Sequence, residues 1–492
     1  MILLIYPKHS PFPHSISAPL SIFCLGSYIE EKGGEAEYFD ERVQGWDHLM
    51  QMLDKKPLLV GISTMTSYQI RRAVAIASFI RRYYPELPLV WGGVHPTMCS
   101  IQTAESELVD FIIKGEGEAA LYDLANVLSS SHPSAFFSID NLVWKKNGSI
   151  KENKNRKFLD LNSLPFAYSG RAAGMLKIYF KINRGREGVA METSRGCNFS
   201  CRFCYNQFFN QSICRAKNKD KLEKELCQLH KMGIKDILFV DDNLGVSRQH
   251  IKDLCDITRR YNMKWSGGLR ADMIDKELVN ILENGVCKSL FFGIESINPA
   301  AMKYINKSIS VEKIREVIKY MAGSSIVPVY SFMTGFPQED SSDLNEQLDF
   351  IDRINIADPR AEIAVQPYNP LPGTLLYEDA LRQGFSPPKK LEGWWRMTTG
   401  EILGPWVKNR AVLKNLYLIS FLAFRGSRFL NNIIFFPFCI LAGLRWKFKF
   451  FKLYTERIFY ILLIRIWILR DELFINWFLL KRGFRICHRL AP

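Results

Sequence analysis

Short apolar runs alternate with amphipathic stretches twice along this chain, and this alternation places the fold in the α/β class. In the first stretch, each apolar run is followed by a helix-like segment, which is the pattern of a parallel sheet. We therefore predict a doubly wound, Rossmann-like domain over residues 1–135. Its predicted strands are Ile2–Tyr6, Glu37–Asp40, Leu58–Ser63, Leu87–Trp91 and Phe111–Lys114.

A second alternation fills residues 186–380 and predicts a partial (β/α)6 barrel, whose chemistry is expected at the carboxyl ends of the strands. Residues 136–185 are predicted to be a linker with a small hairpin, and residues 381–492 a helical, basic and aromatic region. The six predicted barrel strands are Gly188–Glu192, Asp236–Asp241, Lys264–Gly267, Ser289–Ile294, Val327–Met333 and Ala361–Gln366.

The eleven cysteines are an odd number, and the first residues, MILLIYPKH, are typical of a buried strand rather than of a signal peptide. Both features favour a reducing cytoplasm, in which thiols stay free to bind metals.

Small, glycine-rich and polar segments follow three successive strands of the first domain, at Gly61–Ser67, Gly92–His95 and Gly115–Glu118. Glycines there either make tight turns only or let a ligand approach the backbone closely. Their position at successive strand ends favours a ligand-binding surface. An ordinary dinucleotide site is disfavoured, because no G-x-G-x-x-G opens the first helix.

Three cysteines lie in one short loop directly after the first barrel strand. Cys197, Cys201 and Cys204 have the spacing C-x3-C-x2-C. Three thiolate ligands suit a 4Fe–4S cluster that keeps one iron open. A structural zinc ion would need a fourth ligand, and no cysteine or histidine pair stands nearby. Structural zinc and inert thiols remain the alternatives.

This loop, with Phe203 before its third cysteine, resembles the signature of the radical S-adenosylmethionine (radical SAM) superfamily. The barrel strand ends resemble the branch of that superfamily with an N-terminal cobalamin-binding domain, which includes class B methyltransferases and the anaerobic magnesium-protoporphyrin cyclase. The resemblance implies that the open iron binds the amino and carboxylate groups of S-adenosylmethionine. Reductive cleavage of that cofactor then yields a 5′-deoxyadenosyl radical, with Phe203 against the adenine.

By the same resemblance, polar residues at the barrel strand ends are candidate contacts for S-adenosylmethionine. An acidic strand end can equally be a helix N-cap or a solvated loop residue. Cys214, just past the cysteine loop, is a weak candidate for a catalytic role. The strand-end candidates are Asp241, Asp242, Arg270, Glu295 and Gly335.

The resemblance also implies a cobalamin site in the first domain. The Asp-x-His-x-x-Gly pattern that supplies a lower axial histidine in many cobalamin proteins is absent, although His95 stands at a strand end. Members of this branch commonly hold cobalamin without such a histidine, and a domain that binds no corrin is the alternative. The candidate corrin and tail contacts are Ser63, Thr64, Met65, Gly92, Gly93 and Glu116.

The resemblance thus predicts a cobalamin-dependent radical SAM enzyme that methylates an unactivated carbon and takes electrons from a flavodoxin or ferredoxin. The C-terminal region, described below, adds the expectation of a hydrophobic, lipid-like substrate. The alternatives are an oxidative cyclase of a tetrapyrrole, another radical rearrangement without methylation, and a non-enzymatic corrin-binding sensor at a membrane. A methylthiotransferase for RNA is disfavoured, because the first domain lacks a second trio of cysteines.

The C-terminal region outside this resemblance carries most of the net charge. Residues 405–492 hold 16 Lys+Arg and 3 acidic residues, net +13, against +2 for residues 1–404. Its long uncharged run, Phe429–Leu444, contains Pro437 and falls short of the about 20 residues that span a bilayer. Apolar and aromatic residues mixed with Lys and Arg favour docking on the inner face of the cytoplasmic membrane. A helical cap over the barrel is the alternative, and nucleic-acid binding is disfavoured.

Overall fold

The computed structural model describes residues 1–10, 17–130, 133–183, 188–399, 402–425, 436–452 and 455–481. By their contacts, the residues form two compact units. One comprises residues 1–186, 387–399 and 463–492, and the other comprises 187–386 and 400–462.

The first unit contains a seven-stranded sheet in the order β2-β1-β3-β4-β5-β6-β7. The strands are β1 Ile2–Tyr6, β2 Ala36–Asp40, β3 Leu59–Ser63, β4 Leu89–Gly92, β5 Phe111–Ile113, β6 Leu142–Lys146 and β7 Ser149–Glu152. The helices are α1 Leu20–Glu31, α2 Trp46–Asp54, α3 Tyr68–Tyr83, α4 Val94–Met98, α5 Ser100–Ala104, α6 Glu118–Ser130 and α7 Gly170–Ile182, with 3-10 turns at Pro133–Ser138 and Leu391–Thr399.

The first five strands of this sheet are parallel, and their order reverses between β1 and β3. In doubly wound sheets a ligand lies beyond the carboxyl ends of the strands at such a reversal. The hairpin β6–β7, predicted within a linker, pairs antiparallel with β5 and so extends this sheet. The predicted Rossmann-like class is confirmed.

The second unit contains a six-stranded parallel sheet in the order β15-β14-β13-β12-β11-β8 and a two-stranded ladder, β9–β10. The strands are β8 Gly188–Met191, β9 Ser194–Arg195, β10 Arg215–Ala216, β11 Asp236–Phe239, β12 Lys264–Gly268, β13 Cys287–Glu295, β14 Val327–Thr334 and β15 Glu362–Pro367. The helices are α8 Asn206–Phe209, α9 Lys219–Lys231, α10 Arg248–Arg260, α11 Lys276–Asn284, α12 Pro299–Tyr304, α13 Val311–Ala322, α14 Ser341–Ala357 and α15 Leu375–Arg382, with a 3-10 turn at Ala271–Met273. This is the predicted partial (β/α)6 barrel.

Three helices follow in the C-terminal region: α16 Arg410–Arg425, α17 Phe436–Lys447 and α18 Thr455–Lys481. Helix α16 packs on the edge strand β15 and buries Leu416 and Ile419 completely. Residues 429–435 of the predicted apolar run lie outside the described residues. None of the helices in the described ranges combines the length and the apolarity needed to cross a bilayer.

A buried ion pair links helix α3 to the carboxyl end of β2. The Arg72 Nε donates to Glu41 Oε1 at 3.1 Å, and both side chains are almost fully buried. Glu41 also accepts from the backbone N–H of Lys8 at 3.0 Å and from the indole of Trp46. Burial acts to raise the pKa of Glu41, but the charge and hydrogen bonds of Arg72, together with those of Lys8, outweigh it and hold the pKa below its ordinary value.

Replacing Arg72 should therefore leave an uncompensated buried carboxylate. We expect Arg72→Met to lower the free energy of unfolding by about 3–5 kcal/mol, measured by urea denaturation of the full chain. The control is Arg82→Met, at an exposed arginine, which should change the free energy of unfolding little. Because Glu41 in the variant would bind a proton more readily folded than unfolded, the loss should be smallest in acid and should grow as the pH rises. An equal loss at every pH would contradict this explanation.

Candidate active site

The cysteine loop begins just after β8, and the short ladder β9–β10 closes its base. Cys201 is buried, while Cys197 and Cys204 are half-buried. The N–H of Cys204 donates to the carbonyl of Cys201 at 3.0 Å, and Asn206 Nδ2 donates to the carbonyl of Cys197 at 2.7 Å. The Cys201 thiol lies close enough to each of the two half-buried thiols to raise its pKa. The structure thus brings the three predicted cluster cysteines together.

The donor chemistry of these thiols fits an iron–sulfur cluster. Burial raises the pKa of Cys204 to about 12 and also raises that of Cys197, and the neighbouring thiols add to both shifts. A bound cation favours the thiolate over the thiol, so iron would reverse this preference. Within the described ranges, no group of three or more His, Cys, Asp or Glu side chains surrounds a single metal ion.

Asp242 holds both ends of the cysteine loop. Its Oδ2 accepts from the N–H of Gly196 at 2.9 Å and from Asn210 Nδ2 at 3.1 Å, and its Oδ1 accepts from the hydroxyl of Tyr205 at 2.5 Å. Gly196 has φ +85°, and a Cβ there would lie 2.0 Å from the Ile213 carbonyl oxygen. The carboxylate therefore fixes the residues immediately before Cys197 and after Cys204.

The neighbouring Asp241 holds the start of the loop. Its Oδ1 accepts from the backbone N–H and the hydroxyl of Thr193, at 3.0 and 2.8 Å, and from the hydroxyl of Ser194 at 2.6 Å. Its Oδ2 is buried and has no hydrogen-bond partner among the described residues. Burial raises the pKa of Asp241 to about 6, against the hydrogen bonds from Ser194 and Thr193. One oxygen of this carboxyl group is thus left for a donor outside the chain.

Arg270, at the end of β12, reaches the cysteine loop. Its Nη1 lies 3.9 Å from Cys201 Sγ, and its guanidinium stacks 3.5 Å from the ring centre of Phe199. Its Nη2 also donates to Asp272 at 2.8 Å. A fixed positive charge therefore stands beside one of the three sulfurs.

Glu295, at the end of β13, has a strained backbone with φ +68°. Such a conformation in a non-glycine residue is found preferentially at functional sites. Its side chain is buried and accepts from Lys307 Nζ at 3.3 Å.

The other predicted residues of this unit have different surroundings. Phe203 is half-buried. Gly335 has φ +85°, and its carbonyl accepts from the indole of Trp406 at 2.9 Å. Cys214 lies within electrostatic range of Cys197, and burial raises its pKa to about 11. This neutral thiol is a poor nucleophile.

In the first unit, Thr64 and Gly93 bring two strand ends into contact. The N–H of Thr64 donates to the carbonyl of Gly92 at 2.9 Å. Gly93 has φ +95°, and a Cβ there would lie 2.6 Å from the Thr64 carbonyl oxygen, so only glycine allows this approach. The hydroxyl of Thr64 is buried without a hydrogen-bond partner among the described residues.

His95 is fully buried beside these residues. Its Nδ1 lies 2.9 Å from the hydroxyl of Thr66, and its ring centre is 5.4 Å from that of Trp394. Its Nε2 has no hydrogen-bond partner in the described part of the chain. Burial lowers the pKa of His95 to about 3, so the imidazole is neutral. Unsatisfied polar atoms at these strand ends fit a bound polar group.

The other predicted corrin contacts lie nearby in the sequence but differ in exposure. Ser63 Oγ donates to Ser21 Oγ at 3.3 Å. Met65 is 55% exposed at the tip of its loop. Gly92 and Glu116 are half-buried, and the carbonyl of Glu116 accepts from Asn141 Nδ2 at 3.3 Å.

Sequence reasoning missed residues that act on the site through the backbone or through a pairing partner. Tyr205, Asn206 and Asn210 follow the cysteines closely, which alone does not separate them from ordinary loop residues. Lys307 and Trp406 are distant in sequence from the residues that they contact, so the sequence gives no signal for them. The missed residues are Tyr205, Asn206, Asn210, Lys307, Glu339 and Trp406.

Two family models match this chain. The B12 binding domain matches residues 14–125, and the radical SAM superfamily matches residues 191–351. The chain therefore carries a radical SAM domain and an N-terminal B12-binding domain, and it is an enzyme. Its cofactors are those of the two domains, a 4Fe–4S cluster, S-adenosylmethionine and cobalamin.

Three known proteins are similar to this chain over most of its length. An uncharacterized methyltransferase of Pyrococcus horikoshii is 25% identical over 392 residues, 77% of this chain and 83% of the relative. An anaerobic magnesium-protoporphyrin IX monomethyl ester cyclase of Synechocystis sp. is 25% identical over 370 residues, 70% of this chain and 71% of the relative. The fold is similar to the radical S-adenosylmethionine methyltransferase TsrM from Kitasatospora setae with cobalamin and a [4Fe-4S] cluster bound. The TM-score is 0.64 at 16% identity, with 79% of this chain and 76% of that chain covered.

Removing the Asp242 carboxylate should loosen the cysteine loop. Because hydrogen bonds to charged groups each contribute about 1.5–3 kcal/mol, we expect Asp242→Ala to lose iron to a chelator at least about tenfold faster than the wild type after anaerobic reconstitution. The rate is followed by the absorbance of the iron–chelator complex. The exposed Asp256→Ala is the matched control. Equal rates in all three proteins would show that Asp242 does not hold the loop.

Proposed function

We propose that this enzyme is a cobalamin-dependent methyltransferase that transfers a methyl group to an unactivated carbon of a hydrophobic, lipid-like substrate. The observation that carries the proposal is the loop of three thiols braced by Asp241 and Asp242, in a chain that also has a B12-binding domain. Relatives described as methyltransferases support the reaction class. The basic and apolar helices described below support the substrate class.

In this proposal Cys197, Cys201 and Cys204 hold the 4Fe–4S cluster, which supplies reductive cleavage of S-adenosylmethionine when bound. The reductant is a small electron carrier of the flavodoxin or ferredoxin type. Arg270 places a positive charge 3.9 Å from Cys201 Sγ, which would stabilise the negative charge of a bound cluster beside that sulfur. Phe203 lies against the adenine in this proposal.

The remaining strand-end residues orient S-adenosylmethionine. Asp241 offers the oxygen that the chain leaves unpaired, and Glu295 is a carboxylate already held by Lys307. Asp242 acts by holding the loop, and the Gly335 backbone stays close to the cofactor. Cys214 is given no catalytic role, because burial raises its pKa to about 11.

Cobalamin is assigned to the strand ends of the first unit. Gly93 and Thr64 leave the backbone open to close approach, and the Thr64 hydroxyl and the His95 Nε2 are free to pair with polar groups of the corrin or its tail. Further contacts are assigned to Ser63, Met65, Gly92 and Glu116.

The second candidate function is oxidative ring formation on a tetrapyrrole, which the likeness to the Synechocystis cyclase favours. Both reactions use the same cofactors, so the fate of S-adenosylmethionine separates them.

Helix α18 supports docking on the inner face of the cytoplasmic membrane. Six large apolar side chains along it are each more than half exposed and follow one another at intervals of three or four residues. This spacing places them on one helix face, and the exposed Arg465 and Arg470 flank it. These side chains are Ile458, Leu462, Ile466, Leu469, Leu473 and Trp477.

The products of S-adenosylmethionine test the reaction class. We expect reconstituted enzyme with reductant, cobalamin and a membrane-lipid extract to form both 5′-deoxyadenosine and S-adenosylhomocysteine, measured by mass spectrometry. Cys201→Ala should abolish 5′-deoxyadenosine, because two thiolates hold the cluster poorly. Cys227→Ala, a half-buried thiol on α9, should retain it. 5′-Deoxyadenosine alone would favour cyclisation, and neither product would contradict both reactions.

Vesicle flotation tests the docking surface. Full burial of a leucine side chain contributes about 1.5–3 kcal/mol to the free energy of binding. Each apolar side chain of the α18 face is roughly half exposed and so has about half of this to gain. The triple variant Leu462→Gln, Leu469→Gln, Leu473→Gln should therefore bind anionic vesicles about a hundredfold more weakly. The control variant Ile101→Gln, Phe137→Gln changes two exposed apolar residues elsewhere and should bind as the wild type does. Equal binding of the triple variant would show that this helix face does not dock.

A further inference from the structure

Away from the strand ends, the second unit has a cavity of about 300 Å³ between α13 and α14. Three basic side chains line it: Arg315 and Lys319 on α13, one helical turn apart, and Arg353 on α14. None of the three forms an ion pair with any residue that the structure describes. The guanidinium of Arg315 lies 5.4 Å from the ring centre of Phe350, which keeps its charge at the cavity wall.

Two of the acidic side chains near these bases in sequence are already paired. Lys313 pairs with Glu316 at 3.4 Å on α13. Asp352, next to Arg353, accepts from Trp446 Nε1 at 2.7 Å and from Lys449 Nζ at 2.5 Å. The described lining of the cavity holds three basic side chains and no acidic one, which favours an anionic ligand.

The rest of the lining is apolar, with Ile318, Ala322, Phe350 and Ile354 among it. A simple inorganic anion would make no use of these side chains. A ligand that combines an anionic group with hydrocarbon satisfies both parts of the lining. The volume also matches that of a small-molecule site.

The bonds to Asp352 place the C-terminal end of α17 directly beside this cavity. Helix α17 and the residues after it carry a row of exposed apolar side chains at helical spacing. A surface that combines exposed apolar residues with unpaired basic residues matches the polar–apolar boundary of a lipid bilayer. The exposed residues are Phe436, Ile440, Leu441, Leu444, Phe448 and Phe450.

We infer that the cavity between α13 and α14 binds the phosphate headgroup of one anionic phospholipid, with the start of its acyl chains on the apolar lining. Arg315, Lys319 and Arg353 contact the phosphate, and α17 lies in the interface beside it. The site rests on the proposed membrane docking and adds to it a preference for anionic lipid.

The first test compares vesicles of phosphatidylcholine with vesicles that also contain phosphatidylglycerol, using the full chain. The variant Arg315→Gln, Lys319→Gln, Arg353→Gln should lose at least about tenfold in binding to the anionic vesicles and little in binding to the neutral ones. Arg315→Lys, Arg353→Lys keeps the charges and should retain the preference. Lys224→Gln, an exposed lysine on α9, is the control for charge alone. Equal binding of the triple variant and the wild type would overturn the site while leaving the docking surface intact.

The second test does not depend on docking. Dihexanoyl phosphatidylglycerol, kept below its micelle concentration, is titrated into the full chain by calorimetry. We expect one molecule bound per chain, with binding lost in the triple variant and weakened at least about tenfold in Ala322→Phe, which fills the apolar part. Binding of this lipid without binding of vesicles would uphold the site and refute the docking. Equal binding of inorganic phosphate, or no binding of the lipid, would overturn the site.

Discussion

Two adjacent carboxylates that follow one strand hold the loop on which the chemistry of this enzyme depends. Asp241 fixes the residues that lead into the cysteine loop, and Asp242 fixes the peptide before Cys197 and the side chain after Cys204. Successive residues in extended backbone point in opposite directions, so neighbouring aspartates can hold two different segments at once. Asn206 adds a hydrogen bond to the carbonyl of Cys197, and Arg270 lies beside Cys201.

The fold was predictable because its pattern is repetitive. Each buried strand is a short apolar run, and each helix between strands has one apolar face, so the alternation appears twice in the sequence. The hairpin β6–β7 was found as a hairpin, but its pairing with β5 was not, because antiparallel addition at a sheet edge leaves no local signal. The return of residues 387–399 to the first unit was hidden for the same reason: a contact such as Trp394 against His95 joins residues far apart in sequence.

For the candidate site, the sequence predicted which residue types stand at which strand ends. It did not predict what each residue does there. An aspartate after a strand can contact a cofactor, cap a helix or brace a loop, and these uses share one sequence pattern. Asp241 and Asp242 differ only in which way they point, and the structure gives one an unpaired buried oxygen and the other a full set of loop contacts. The positive φ of Glu295 distinguishes it from an ordinary strand residue. This feature could not be predicted, because the sequence does not specify the φ angle of a glutamate.

The uneven charge of the chain has a physical consequence that the net charge of +15 hides. Long-range attraction decays within about 8 Å at physiological ionic strength, so a basic residue acts only on a surface that it nearly touches. In the C-terminal region these residues stand beside large exposed apolar side chains, as Lys447 at the end of α17 stands beside Phe448. In the proposed docking, apolar contact brings the helix to within that range of a membrane surface, and the charges then select an anionic one. Apolar exposure alone would give binding without selectivity, and charge alone would act only at very short range. The pairing of basic with apolar residues at adjacent positions is therefore stronger support for docking than the net charge is.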